Sequence, residues 1–395
     1  MRITILTPPD ILTGGTRVVA IYASQLRARG HEVLVVSNGH APTSWREHLR
    51  ALKHGCWREL QRENRARREP GHIALSGVPH RVLQKHRPIG AADVPDADLV
   101  IATWWETALW MHELPAAKGR KVHLIQGYEI WWGGDEVRAR VQAALRLPNL
   151  KVAISAGLKR EIEGDLGDLG IQVVNNAVDG AQFDAPARQR GTQPTVGFIY
   201  AHDRIKGPDR CLKVIERLRQ QMPELRVLAF GAQQPTPELP LPEGTEFHFR
   251  PAQRDIPGLY ARCDAWLFAT RVDSFGLPIL EAMACRTPVV GVPVGVAPDF
   301  LTDGAGLLVD APTEAALPDA MADALFHLLS KPAHEWQAMS ARAHARAHAY
   351  SWQDAVGLFE TLVSHPAGHA TLETQQPFGE RQCGSHDLIA PPVPA

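Results

Sequence analysis

Short apolar runs alternate with helical periods along most of this 395-residue chain. Residues 2–6 alternate into a buried strand. A Gly-bearing loop follows, and from Gly15 to Gly30 apolar residues recur at 18, 21, 22 and 26, which predicts a helix. Glu32-Val-Leu-Val-Val36 is the next strand, completing a β–Gly loop–α–β start. Further strands are expected at 98–102, 121–125, 150–154 and 172–174, with Ser155 capping a helix over 156–163. The pattern restarts at Thr195-Val-Gly-Phe-Ile199 and continues through strands at 225–230, 246–249, 265–269, 288–292 and 304–309. Helices are expected up to Gln220, over 256–262, after Asp273, and over 312–330, 334–350 and 351–364. Strands alternating with helical segments predict an α/β protein with parallel sheets.

Two stretches break the rhythm. Residues 184–194 are polar and bear Pro and Gly, and read as a linker. Residues 366–395 are rich in Gly, Pro, Gln and Ser without a period, and read as a disordered tail. The division expected is a first Rossmann-like domain over 1–185, a second over 195–350, a C-terminal helix over 351–365 crossing back to the first domain, and the tail. Two such domains facing each other would enclose a deep cleft, a common place for a small-molecule site.

Composition narrows the class. The chain is 45% apolar and 22% charged with a formal net charge of −1, so no global electrostatic case exists for nucleic acid. Five scattered cysteines form no CxxC pair, which suggests neither a zinc site nor a disulfide framework and fits a reducing, cytoplasmic setting. Met1–Leu6 reads as a strand, not a signal peptide, and no apolar stretch is long enough to span a membrane. Residues 40–75 are rich in Arg, His and Trp; Trp57–Glu69 reads as a mixed-charge helix, with an anionic membrane or acceptor surface as the alternative.

The chemistry gathers in loops that leave strand ends, where open α/β sheets bind ligands. Gly14 and Gly15 open a helix, and N–H groups there favour an anion over a plain turn only as one of two open readings. Gln126, Tyr128 and Glu129 follow another strand, near Trp104, Trp105, Trp131 and Trp132, which suits a hydroxylated ligand or simple packing; His123, inside the strand, reads as a core histidine. In the second half, Asp273-Ser-Phe-Gly-Leu-Pro-Ile-Leu-Glu281 sets two carboxylates eight positions apart across a Gly, with Glu281 about one turn into a helix.

That stretch, running on into Ala-Met-Ala-Cys-Arg-Thr-Pro-Val-Val290, resembles retaining glycosyltransferases of the GT-B fold, of the family-four type (glycosyl transferases group 1), whose hallmark is Glu-x7-Glu. Ser155, Asn176-Ala-Val-Asp179, Lys206-Gly207 and Gly304-Ala-Gly-Leu-Leu-Val309 add to the resemblance, which spans roughly residues 1–365. It implies a nucleotide-diphosphate sugar donor held by the second domain and a sugar, lipid-linked or small-molecule acceptor held by the first. By the same resemblance Glu281 holds the ribose and Asp273 lies near the donor sugar. Ser274, Phe275, Gly276 and Leu277 form the loop whose Gly276 and Leu277 amides reach the phosphate or sugar. Lys206 neutralises the diphosphate, Gly15 approaches it from the other domain, and Arg250 and Pro251 lie near the base. The family works without a metal or other cofactor. A role in polysaccharide or glycoconjugate assembly follows, in the cytoplasm, or at the inner face of the membrane if the acceptor is a lipid.

Departures are Asp273 for Glu, shorter by ~1.5 Å, Ala201 where an Arg is usual, with His202 or, in preference, Arg204 as the substitute cation, and Asp299 where a Glu is usual. The competing readings are a sugar-nucleotide epimerase on the same fold and a non-catalytic nucleotide-sugar-binding protein.

Overall fold

The structure, a computed structural model, describes residues 1–53, 57, 69–131 and 133–364. The body of the expected helix 57–69, Trp132 and the tail 366–395 lie outside the described residues. Two compact units emerge among the described residues: one of Met1–Ile154, Leu158–Asn175 and Val356–Ser364, the other of Ser155–Gly157 and Asn176–Ala355.

The first unit carries a seven-stranded sheet: β1 (Arg2–Thr7), β2 (Glu32–Ser37), β3 (His80–Val82), β4 (Leu99–Ala102), β5 (Arg120–Ile125), β6 (Leu150–Ala153) and β7 (Gln172–Val173). Their spatial order is β3-β2-β1-β4-β5-β6-β7, all parallel. Register pairs Ile3 with Val33 on one side and with Leu99 on the other. Ile3, Ile5, Val35, Val100 and Leu124 are all buried, as strands covered on both faces require. The edge strand β3 lacks an apolar run, and the sequence pattern did not reveal it. The last helix, Trp352–Ser364, packs its Val356–Ser364 portion within this unit: Phe359 meets Tyr22 edge-on at 5.2 Å, and His31 pairs with Glu360 at 2.7 Å.

The second unit carries β8 (Thr195–Ile199), β9 (Arg226–Gly231), β10 (Glu246–Phe249), β11 (Ala265–Phe268), β12 (Val289–Gly291) and β13 (Gly306–Leu308), in the order β10-β9-β8-β11-β12-β13, again parallel. Its core includes Val196, Phe198, Leu228, Trp266 and Val290. Both sheets reverse direction of growth beside their first strand, between β1 and β4 and between β8 and β11. In sheets of this order, loops leaving the two strands at the switch point run to opposite sides, and ligands bind there.

The segment 184–194 is fastened to the second unit along its length. Asp264, 1% exposed, accepts from the Gly191 and Thr195 amides at 3.0 Å each and pairs with Arg188 at 3.2 Å. Arg286 donates to the Ala185 carbonyl at 2.8 Å. A buried carboxylate needs such partners, and here they come from the Pro/Gly-bearing stretch.

Candidate active site

The switch point of the second sheet brings Lys206 and Asp273 together. After β8 the chain runs through a 3-10 turn, Arg204–Lys206, and Gly207 turns it with φ 68 into the helix Pro208–Gln221. A Cβ on Gly207 would sit 2.1 Å from the Ala269 carbonyl oxygen, so this position needs glycine for close approach as well as for its left-handed conformation. After β11 the chain passes Thr270 to Gly276 and enters the helix Leu277–Ala284, Gly276 having φ 92. The two loops are tied by the Arg271 amide on the Ile205 carbonyl at 2.7 Å and the Thr270 hydroxyl on the same oxygen at 2.9 Å. The Arg271 guanidinium grips Asp209 with two bonds of 2.7 and 2.8 Å, reaches Glu314 at 2.7 Å and donates to the Arg204 carbonyl at 2.8 Å. Bidentate pairs of this kind fix geometry.

On this frame Lys206 Nζ lies 2.8 Å from Asp273 Oδ2, with the lysine side chain about half exposed. Asp273 Oδ1 accepts from the Phe275 amide at 3.2 Å and the Gly276 amide at 2.8 Å. The carboxylate therefore caps the loop that opens the helix and neutralises Lys206 at the same time. The Gly276 amide, expected to face a phosphate or sugar, is taken by Asp273 in this structure. Ser274 lies at the loop's crest, and its carbonyl accepts from the Ser155 hydroxyl at 2.7 Å. Phe275 is buried, and its carbonyl accepts from the Val296 amide at 2.8 Å.

Glu281 is 8% exposed, on the second turn of the helix, and its Oε2 accepts from the Tyr260 hydroxyl at 3.0 Å. Tyr260 itself is fully buried against Trp266, Phe230 and Phe183, so the carboxylate is aimed by a rigid aromatic cluster. Arg204 is exposed on the same turn as Lys206. Arg250, at the end of β10, adopts φ 47, and its Nε donates to the Ala232 carbonyl at 3.3 Å; Pro251 follows it, two strands from the switch point.

In the first unit, Gly14 and Gly15 open the helix Gly14–Ala28 behind Thr13, whose hydroxyl and amide meet the Thr16 hydroxyl. Gln126, at the end of β5, lies beside Gly15: an added Cβ there would be 3.6 Å from Gln126 Oε1. That oxygen is buried and has no hydrogen-bond partner among the described residues, and the same holds for Thr7 Oγ1 at the end of β1, Asn38 Nδ2 just past β2, and Trp131 Nε1. Unpaired buried polar atoms are rare, and their gathering at strand ends marks a place where a ligand or water supplies the missing partner.

Tyr128 is 1% exposed and its hydroxyl is hydrogen-bonded to Asp165 and Gln142; burial first, and then the Asp165 hydrogen bond, push it above its ordinary range. It is bound to the two neighbouring helices. Glu129 is 7% exposed, and burial, reinforced by Glu161, pushes its carboxyl up to about 7. His123 is buried within β5 and pushed down to about 3 by desolvation, then by the charge of Lys151. Trp105 is buried beneath the Arg140 guanidinium, 4.7 Å from its ring.

Tyr260, Arg271 and Asp209 were not among the residues read from the sequence. Each reaches the site only across loops, and no local spacing marks them.

The profile of the family described as Glycosyl transferases group 1 matches residues 181–342, the region that holds Lys206, Asp273 and Glu281. Among curated proteins, the chain is 29% identical over 240 residues to D-inositol 3-phosphate glycosyltransferase of Corynebacterium urealyticum, covering 51% of this chain and 55% of that one. It is 33% identical over 239 residues to the enzyme of that name from Salinispora arenicola, covering 52% of each. The chain thus spans about half the length of these curated relatives. Among solved structures, Anabaena HepE in complex with UDP and glucose superposes with a TM-score of 0.67 at 18% identity, over 92% of this chain and 99% of that one. Sucrose-phosphate synthase from Thermosynechococcus elongatus does so with a TM-score of 0.66 at 15% identity, over 92% and 98%. The two parallel Rossmann-like sheets and these superpositions show the GT-B fold, and within it residues 181–342 are similar to glycosyl transferases group 1.

Proposed function

We propose that the chain is a retaining glycosyltransferase that moves a sugar from a nucleotide-diphosphate sugar to an acceptor hydroxyl. The observation that carries this reading is the Lys206–Asp273 pair of 2.8 Å at the switch point of the second sheet, inside the region matched by the family. The leaving group is a nucleoside diphosphate whose negative charge grows as the glycosidic bond breaks. Lys206 and Arg204 meet that charge, and fixed donors of this kind lower the barrier because they need no reorganisation. When the diphosphate takes Lys206, Asp273 Oδ2 is released beside the donor sugar while Oδ1 stays held by two amides. Asp273 then stabilises the positive charge of the oxocarbenium-like transition state.

With no enzymatic nucleophile assigned, retention requires the acceptor to attack from the leaving-group face. The bond from the anomeric carbon to the phosphate oxygen breaks, the bond to the acceptor oxygen forms, and the acceptor proton passes to the departing phosphate. Glu281, oriented by Tyr260, holds the ribose hydroxyls, and Arg250 and Pro251 lie near the base. Gly14, Gly15, Gln126 and Glu129 serve the acceptor in the first unit. The cations already present supply the charge at the diphosphate, so transfer is expected to persist in chelator.

HepE was solved with UDP and with UDP-glucose, and UDP-sugars are therefore the first donors to try. The inositol phosphate in the relatives' name makes phosphorylated polyols the first acceptors. A role in polysaccharide or glycoconjugate assembly in the cytoplasm completes the reading; among the described residues no helix is long and apolar enough to cross a membrane, and a lipid-linked acceptor would bring the protein to the membrane face.

The test is a panel of nucleotide sugars screened by thermal shift, followed by product analysis with and without acceptors. Acceptor-dependent release of nucleoside diphosphate is expected. An isomerised donor without acceptor would establish the epimerase instead, and saturable donor binding without turnover on any acceptor would leave a binding protein.

A further inference from the structure

Away from the switch point, Asp184, His344 and His348 converge. The two histidines lie four residues apart on the helix Ala333–His348, which puts them on one face. Their rings are 4.2 Å apart between centroids. His344 Nε2 is 2.8 Å from Asp184 Oδ1 and His348 Nε2 is 4.0 Å from the same oxygen. One ligand atom from each of the three residues lies within 4.8 Å of the other two. Asp184 is the last residue before the stretch fastened by Asp264 and Arg286, and the turn that precedes it is closed by Phe183 on the Asp179 carbonyl at 2.7 Å.

His348 supplies the second observation. Its Nδ1 lies 3.0 Å from the His344 carbonyl oxygen, which can only accept, so Nδ1 carries the proton. Nε2 is the ring atom left to face a metal, and it is buried without a hydrogen-bond partner among the described residues. A backbone carbonyl on one ring nitrogen with the other left as a lone pair is the arrangement that orients metal-binding imidazoles.

We propose that Asp184, His344 and His348 form a binding site for one divalent transition-metal ion of the zinc class, clamping the segment before β8 to the helix Ala333–His348. Two imidazoles and one carboxylate suit zinc, nickel or copper and disfavour magnesium and calcium, which take oxygen ligands. Ligation calls for bonds of about 2.0–2.1 Å in a tetrahedral set, and the Asp184 side chain, 60% exposed, has room to turn toward them. The His344 proton moves from Nε2 to Nδ1 on ligation, and water fills the fourth position. The site is structural and independent of the transfer reaction.

Equilibrium dialysis of the untagged, full chain against Zn2+, with Mg2+ as the control, tests this. The wild type is expected to bind one equivalent of Zn2+, with melting raised by about 5 °C or more at a hundredfold excess over Kd. His344→Gln/His348→Gln and, separately, Asp184→Asn are expected to lose that equivalent while keeping the metal-free melting temperature and far-UV spectrum. Co2+ substitution reads the ligand set directly: visible d–d bands should appear in wild type and vanish in the double variant. Absence of saturable Zn2+ binding, an undiminished equivalent in the double variant, or equal binding of Mg2+ would each overturn the proposal.

Discussion

At the strand ends of the second unit, polar groups are already paired. Lys206 sits on Asp273, Asp273 caps its own loop through two amides, and Glu281 takes the Tyr260 hydroxyl. At the strand ends of the first unit, Thr7 Oγ1 and Gln126 Oε1 are buried without partners, and Glu129 is buried with its carboxyl pushed up to about 7. Both edges are built from the same βαβ plan with the same switch point. The difference is between a site assembled before its ligand arrives and one that leaves polar groups for a ligand to complete. A preorganised edge suits the half of a reaction in which charge develops. An edge with unmet hydrogen bonds gains most from binding a polyhydroxylated molecule, since an unsatisfied buried group costs about 1–3 kcal/mol.

The strongest blow to the preorganised edge is loss of Glu281. Glu281→Gln keeps an acceptor for Tyr260 and removes the charge, and kcat/KM for transfer is expected to fall at least about 100-fold, since hydrogen bonds to charged groups contribute about 1.5–3 kcal/mol each. Glu281→Ala should abolish transfer while the far-UV spectrum stays native, with some stability lost because the Tyr260 hydroxyl is stranded. Wild-type activity in Glu281→Ala would sink the assignment of the ribose contact.

Lys206→Ala removes the cation and leaves Asp273 Oδ2 without its partner. A drop of about 10- to 100-fold in kcat is expected, with Lys206→Arg recovering part of it. Because the Lys206 side chain is about half exposed, melting should move little. The comparison fails at this point if the alanine variant unfolds more than it slows, since Lys206 would then be a structural brace.

Glu129 tests the other edge through pH. Its ordinary pKa is near 4.5 and its folded value about 7, so between those values the folded chain binds more protons than the unfolded one. Stability from this group falls as pH rises from about 4.5 to about 7 and stays low above that. The ionised form costs about 3 kcal/mol by the size of that shift. Glu129→Gln should be more stable than wild type at pH 8 and lose the advantage at pH 4.5, read as urea midpoints across pH. Parallel profiles would mean that the carboxylate finds a partner in solution.

The sheets, their parallel sense and most helices were legible because apolar runs and helical periods are local signals. Strand β3, with His80 and Arg81, carries no such run and was missed. The stretch 184–194 looked like a linker because it is polar and bears Pro and Gly, yet its Gly191 amide and Arg188 satisfy Asp264, a partner about 75 residues away that no pattern reveals. At the site, Asp273, Glu281 and Lys206 were readable as a resemblance. That Lys206 rests on Asp273, and that Asp273 takes the Gly276 amide, depends on two loops meeting at a switch point. The same holds for the cluster of Asp184, His344 and His348: HxxxH on a helix is visible in the sequence, but its carboxylate lies 160 residues away.

The smallest expected effect on the fold is the most selective probe of the first edge. Gly15 does not need a positive φ, and an added Cβ would meet Gln126 Oε1 at 3.6 Å, an ordinary contact. Gly15→Ala is therefore accommodated, and inside a helix it should stabilise by up to about 1 kcal/mol. If the helix start is only a turn, activity stays at the wild-type level. If a phosphate or sugar oxygen approaches the Gly15 backbone, the methyl group stands in its way and KM for the donor or acceptor rises while melting holds or improves. A rise in melting temperature with a loss of activity is the signature of a glycine kept for its ligand and not for its fold, and it would separate the two edges by a single methyl group.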